Sequence, residues 1–349
     1  MDEKTPTRMS RRALVKRVSA AAAAGAVASD LPAPQVAADA AAQRKIRIGA
    51  VSWNFRGISA GPPWTEPIDT LADLGFEGVE VICARAEQLD ATLSEPHFSN
   101  LMRQLEKRKM VISQFVLFQT MVADLGSPDA DKRKRALDVF ARGCRVAARL
   151  RAPIINIVAP WPTVYRKKGW SYLPRYYSTQ TTMPGSKFRF DVPRGFDWRK
   201  AWSGFVAVMK EATAAAKAEG LRFSLENHTH TFVQGPDAFL HLWNEVRDPA
   251  LGMNLDVGWI QLQREYPVVA VYKAAGHLMN VHLRDIDGFA YRFVPPAMGC
   301  MDFEGIVRAL RDVGFSGFLS FEQDGPVGDM RAVLRRGKEL IEKILAETA

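Results

Sequence analysis

From Lys45 onward the chain repeats one pattern eight times: a short apolar run of strand length, then a segment whose apolar residues recur at helical spacing. Strands are predicted at 46–53, 78–83, 111–118, 154–159, 221–228, 252–259, 279–285 and 317–322. Helices are predicted at about 66–75, 94–110, 129–151, 197–219, 236–246, 267–276, 302–314 and 329–347, several of them opened by Asp or Ser and closed by Gly. Parallel strands need a helical crossover, so eight such units predict a single α/β domain, a (β/α)8 barrel. The length of 349 residues would also allow two domains of ~150, but no linker or composition break interrupts the alternation. One αβ connection is written twice, as Leu71-Ala72-Asp73-Leu74-Gly75-Phe76-Glu77-Gly78 and as Leu310-Arg311-Asp312-Val313-Gly314-Phe315-Ser316-Gly317. Each reads as a helix end, a glycine cap, a turn and a strand start.

The first 42 residues do not fit this pattern. Ser10-Arg11-Arg12-Ala13-Leu14-Val15-Lys16 is a twin-arginine sequence, followed by an alanine-rich apolar stretch, a break at Pro32 and Pro34 and small residues from Ala37 to Ala42. Charged, apolar and cleavable regions in that order predict an export signal, with residues 43–349 as the mature barrel. Twin-arginine export carries folded proteins, commonly with a metal or cofactor loaded. No later stretch reaches ~18 uncharged apolar residues. The mature protein is therefore expected without a membrane span, in the periplasm or secreted. A homo-oligomer is compatible with the sequence.

The signal segment carries six Lys/Arg and four Asp/Glu, so of the chain's 47 basic and 38 acidic residues 41 and 34 remain, a mixed balance of net +7. A nucleic-acid footprint needs Lys and Arg gathered on one face. The densest run, Lys132-Arg133-Lys134-Arg135, instead opens an amphipathic helix, and no nucleic-acid partner is expected. Cys83, Cys144 and Cys300 are too few and too scattered for a disulfide framework and are read as buried thiols. Residues 160–196 break the rhythm with Trp161, Tyr165, Trp170, Tyr172, Tyr176, Tyr177 and several Arg. Following a strand, this insertion belongs to the carboxyl-terminal face of the barrel and is expected to cover a substrate.

Barrel chemistry projects from the carboxyl ends of the strands. Four consecutive strands end in Glu226-Asn227-His228, Asp256, His282-Leu283-Arg284-Asp285 and Glu322. Three carboxylates and an imidazole converging on one confined mouth cannot all stay charged and unpaired, and a divalent cation resolves the conflict. Mixed oxygen and nitrogen donors suit Mn, Mg, Co or Zn.

The segments Leu225-Glu226-Asn227-His228, Asn254-Leu255-Asp256-Val257-Gly258, Val281-His282-Leu283-Arg284-Asp285 and Phe321-Glu322 resemble those of the xylose-isomerase-like barrels. These are the sugar phosphate isomerase/epimerase family, with ketose 3-epimerases and inosose dehydratases among its members. The resemblance spans roughly residues 45–345. It implies that Glu226, Asp256, His282 and Glu322 hold one divalent metal and that Glu226 and Glu322 are the acid/base pair. A metal that chelates a carbonyl and its neighbouring hydroxyl acidifies the C–H between them and stabilises the enediolate. Epimerisation, isomerisation and elimination all follow from that intermediate. Export argues for an unphosphorylated sugar, keto-sugar or glycoside. Two competing functions are an apurinic-site endonuclease, which resembles a three-zinc barrel rich in strand-end histidines, and a non-catalytic sugar-binding barrel.

The chain departs from the family at Trp259, where relatives carry His or Asn, and at Ala297-Met298-Gly299-Cys300, where they carry Leu-Gly-Glu-Gly. Trp259 cannot accept a proton but can stack on a sugar, as can Trp53 and Trp161. His228, two residues after Glu226, is read as a hydrogen-bonding or proton-transfer group on the same strand face. Glu80 is expected to point into the barrel near the substrate, and Arg284 to contact substrate or pair with Asp285.

Overall fold

The computed structural model describes residues 45–58, 61–160, 192–288, 292–323 and 327–348. The segment read as an export signal and most of the 160–196 stretch, Trp161 included, lie outside the described residues. The eight parallel strands are β1 (Ile46–Val51), β2 (Gly78–Cys83), β3 (Val111–Leu117), β4 (Ile154–Val158), β5 (Arg222–Glu226), β6 (Leu251–Asp256), β7 (Leu278–Leu283) and β8 (Gly317–Phe321). Each pairs with its sequence neighbours, and β1 pairs with both β2 and β8 to close the barrel. Outward residues such as Val81, Phe115, Ile157, Leu225, Val281 and Leu319 are buried under the helices. Alternate residues point inward. Among the described residues no helix is long and apolar enough to cross a membrane.

Local chemistry accounts for the helix starts and stops. Asp129, Asp197, Asp302 and Asp329 accept hydrogen bonds from the first-turn amides of helices Ala130–Arg149, Trp198–Ala218, Phe303–Asp312 and Met330–Glu347. The repeated connection is built the same way twice. Gly75 and Gly314 adopt φ of +74° and +68°, and the amides of Phe76 and Phe315 reach back to the carbonyls of Leu71 and Leu310. The two strands it feeds, β2 and β8, flank β1. There a methyl group on Gly78 would come within 2.4 Å of the Phe318 ring, which is itself covered by the Arg47 guanidinium 4.0 Å from its centroid. Gly78→Ala is therefore expected to destabilise the barrel by about 1–3 kcal/mol, the usual cost of overpacking. An unchanged denaturant midpoint would show that the ring moves aside freely.

The structure corrects several sequence expectations. Four strands stop two or three residues earlier than predicted, because the residues that follow take other structure. Trp53 opens the short helix Trp53–Arg56. Asp256 caps helix Val257–Leu262, so Trp259 lies on that helix and not on a strand. Asp285 and Ile286 leave β7 to form a two-residue antiparallel ladder with Phe293 and Val294. His228 lies past the end of β5. A helix that the sequence reading missed, Ala86–Leu93, starts where Gln88 Oε1 accepts the amides of Ala84 and Arg85. Cys83 and Cys144 are buried, with thiols pushed up to about 12 by burial, but Cys300 is exposed, since it follows the surface loop after the short ladder.

Candidate active site

Strand register brings the candidate ligands together. Asp256 stands opposite His282, Ser320 opposite His282, and Asn254 opposite Glu226. Glu226, Asp256, His282 and Glu322 thereby offer one donor atom each within 4.8 Å of one another, all four residues buried. His282 Nδ1 lies 2.8 Å from Glu322 Oε2, 3.5 Å from Glu226 Oε2 and 3.9 Å from Asp256 Oδ2. Four buried carboxylates, counting Glu80, face one guanidinium and one imidazole. With all four ionised, the acids outnumber the cations even when the histidine is charged. A compact set of three carboxylate oxygens and one ring nitrogen with surplus negative charge fits a divalent cation.

Arg284 does not pair with Asp285. Its Nε donates to Asp256 Oδ2 at 2.6 Å, and Nη2 lies 2.6 Å from Glu322 Oε2. Asp285 instead accepts the backbone amides of Ile286, Gly299 and Met301 at 2.8–3.0 Å. It therefore anchors the stretch Ala297–Cys300 that follows the short ladder. Trp53 Nε1 donates to Glu322 Oε1 at 2.8 Å. Glu322 Oε1 thus takes a hydrogen bond from Trp53 while Arg284 and His282 stand beside Oε2 as charges, whereas Glu226 is held at Oε2 by Asn254 Nδ2, 3.0 Å away.

These environments drive the two glutamates apart. Burial pushes the Glu226 carboxyl up to about 7, against the pull of His282. Burial also opposes charge on Glu322, but Arg284 and His282 outweigh it and hold that carboxyl well below the usual carboxylate range. A pair so divided has one group able to carry a proton near neutrality and one that rests as an anion. Asp256 is raised by burial despite Arg284. His282 is raised because Glu80, Glu226 and Glu322 overcome the burial penalty.

A cavity of about 360 Å³ opens over the cluster, lined by Trp53, Glu226, His228, Trp259, Arg284 and Glu322 on the polar side and by Ile82, Val116, Phe118 and Val158 on the other. Trp259 packs its ring 3.8 Å from that of His228 and edge-on to Phe293. His228 Nδ1 is 3.1 Å from the Thr229 carbonyl, which can only accept, so the ring carries its hydrogen on Nδ1 and presents Nε2 as an acceptor. Burial lowers His228 to about 3 and keeps it neutral. Of the residues expected to touch substrate, Trp53, Trp259 and Arg284 line the cavity. Glu80 does not. It points inward as expected but is fully buried beneath His282. Asn254 and Asn280, which sequence reasoning passed over, support the cluster from below. Each sits two residues before a candidate ligand and so shares its strand face.

Fold and site together define a (β/α)8 barrel with a candidate metal centre at the carboxyl ends of its strands. The chain belongs to the Xylose isomerase-like TIM barrel family, whose model matches residues 68–344. Among curated proteins it is 22% identical over 140 residues to inosose dehydratase from Clostridium beijerinckii, a match that covers 35% of this chain and 47% of that relative, about half its length. Among solved structures it is similar to D-psicose 3-epimerase from Clostridium cellulolyticum H10, with 16% identity, a TM-score of 0.67 and coverage of 86% of this chain and 99% of that one. A 3-keto-D-glucoside 4-epimerase from E. coli aligns with 13% identity, a TM-score of 0.64 and coverage of 86% and 100%. A probable 3-DHS dehydratase from Bacillus anthracis aligns with 16% identity, a TM-score of 0.62 and coverage of 85% and 99%. At these identities the structures share the fold.

Proposed function

We propose that this chain is a metal-dependent enzyme that isomerises or epimerises an unphosphorylated sugar or keto-sugar. The observation that carries the reading is the convergence of Glu226, Asp256, His282 and Glu322 within 4.8 Å at the floor of the cavity. A divalent cation held by those four residues would polarise a substrate carbonyl and its neighbouring hydroxyl. Glu226 is the proton-transfer group. It is held at one oxygen only, by Asn254, and lines the cavity, so it can take a proton from the carbon beside the carbonyl and return it. Glu322 rests as an anion, oriented by Trp53 and Arg284 on the neighbouring side, where it can accept a proton drawn from the other face of the substrate. His228 accepts a substrate hydroxyl hydrogen bond, and Trp259 and Trp53 offer aromatic faces to the sugar ring. Arg284 is the one cation among the described cavity residues, and Asp256 and Glu322 already hold it, which supports an uncharged sugar over a phosphate ester.

Elimination of water or an alcohol from a keto-sugar or 3-keto-glycoside is the second reading, favoured by the inosose dehydratase relative. It shares the first proton abstraction and differs in which bond breaks next. The test is incubation with free ketoses, 3-keto-glucosides and glucosides in D₂O, with Mn, Mg, Co or Zn and with chelator, followed by mass spectrometry and NMR of the products. Metal-dependent deuterium incorporation at the carbon beside the carbonyl is expected. Sugar binding without exchange or turnover on any substrate would leave a binding barrel instead.

Export through the twin-arginine route to the periplasm or medium is part of the proposal. Arg11→Lys combined with Arg12→Lys is expected to leave the protein in the cytoplasm with its signal uncleaved. Undiminished export of that double variant in cell fractions would assign the segment to another route.

A further inference from the structure

His282 lies between acids on both sides of its ring. On the cavity side Nδ1 faces Glu322, Glu226 and Asp256; on the far side Nε2 is 2.9 Å from Glu80 Oε2. Glu80 comes from β2, three strands round the barrel from β7. It is fully buried, and both its oxygens are taken. Asn280 Nδ2 donates to Oε1 at 2.9 Å, and Gln114 Nε2 donates to Oε2 at 2.9 Å alongside His282. A buried carboxylate held this completely cannot turn toward substrate.

Both amides that hold Glu80 owe their positions to irregular strand pairing. Val79 pairs with Ile112, so an even register would put Ser113 opposite Glu80; a shift between Val79 and Glu80 puts Gln114 there. Met253 pairs with Leu278, so an even register would put Met279 opposite Asn254; a second shift puts Asn280 there. Bulges of this kind re-aim side chains beside functional sites. Each of these two exchanges a partner that could not reach Glu80 for an amide that does. Asn280 also donates to Asn254 Oδ1, and Asn254 donates on to Glu226. The network therefore joins Glu80 to two of the candidate ligands.

We infer that Glu80 is a positioning residue which, by accepting the Nε2 hydrogen of His282, fixes the ring in the tautomer that offers Nδ1 to the cation. The inference rests on the metal-centre reading above. A carboxylate only accepts, so Nε2 must carry the hydrogen in that contact, and a neutral ring protonated there has its lone pair on Nδ1, aimed at the carboxylate cluster. A carboxylate behind a ligating imidazole also raises its basicity, and losing such a partner typically weakens metal binding by about 10–100-fold.

The test uses the full-length protein labelled with ¹⁵N-histidine and loaded with Zn²⁺, a diamagnetic probe. The His282 ring signal, identified by its loss in His282→Gln, is expected to show the hydrogen on Nε2 and the metal on Nδ1. Glu80→Gln is expected to weaken Zn²⁺ binding about 10–100-fold by calorimetry and to mix the two ring tautomers. Zn²⁺ on Nε2 in the unmodified protein overturns the inference, and that measurement stands even if Glu80→Gln fails to fold. Wild-type affinity in a folded Glu80→Gln protein, alongside lost affinity in Asp256→Asn, overturns the inference and leaves the metal centre standing. A wild-type protein that binds none of the four metals overturns both.

Discussion

Asp256→Asn is expected to cost the protein its divalent cation while leaving the barrel folded. Asp256 has two roles that only its two oxygens separate. Oδ1 accepts the amides of Gly258 and Trp259 and so caps helix Val257–Leu262, and Oδ2 faces Arg284 and the cluster. Alanine removes both at once. It costs about 0.5–2 kcal/mol for the lost cap and strips one partner from a buried guanidinium, which can cost ~3–5 kcal/mol. Lost metal in that variant could therefore be a folding effect. Asparagine keeps the capping oxygen but turns an amide toward Arg284 Nε and the centre in place of a charged donor, so its folding is checked by circular dichroism beside its metal content. Loss of a direct ligand should exceed the ~100-fold penalty known for outer partners. Full metal content of Asp256→Asn by elemental analysis would remove Asp256 from the centre.

Glu226→Gln is expected to keep the cation and slow the chemical step by ~10²–10⁴-fold, the usual contribution of a positioned acid or base. The amide retains the shape, and its oxygen can still take the Asn254 hydrogen bond, but the basicity is gone. Glu322→Gln should lose activity too, yet it is the less clean experiment. Both oxygens of Glu322 face donors, Trp53 Nε1 and Arg284 Nη2, so an amide there must point its own hydrogens at one of them. Solvent deuterium exchange beside the carbonyl reads the step directly. Exchange at the wild-type rate in metal-loaded Glu226→Gln would show that another group takes the proton.

The barrel was legible because each βα unit is specified locally. Apolar runs, Asp caps and glycine stops recur at short range, and Gly75 and Gly314 take the left-handed conformation that their repeated sequence demands. Ligand candidates were legible for a related reason. A parallel barrel collects the carboxyl ends of its strands at one mouth, so acids at the ends of four successive strands must meet. The sequence by itself therefore determined the architecture and the composition of the cluster. Tertiary structure decided which partner each charge takes. Arg284 follows β7 in sequence beside Asp285 but pairs across strands with Asp256 and Glu322, because Asp285 is occupied by the amides of residues 286, 299 and 301. Glu80 sits behind His282 because two register shifts bring Gln114 and Asn280 to it. A bulge reverses which residues share a face, and no local pattern in either strand announces it, since it arises from the pairing of two strands rather than from the preference of one.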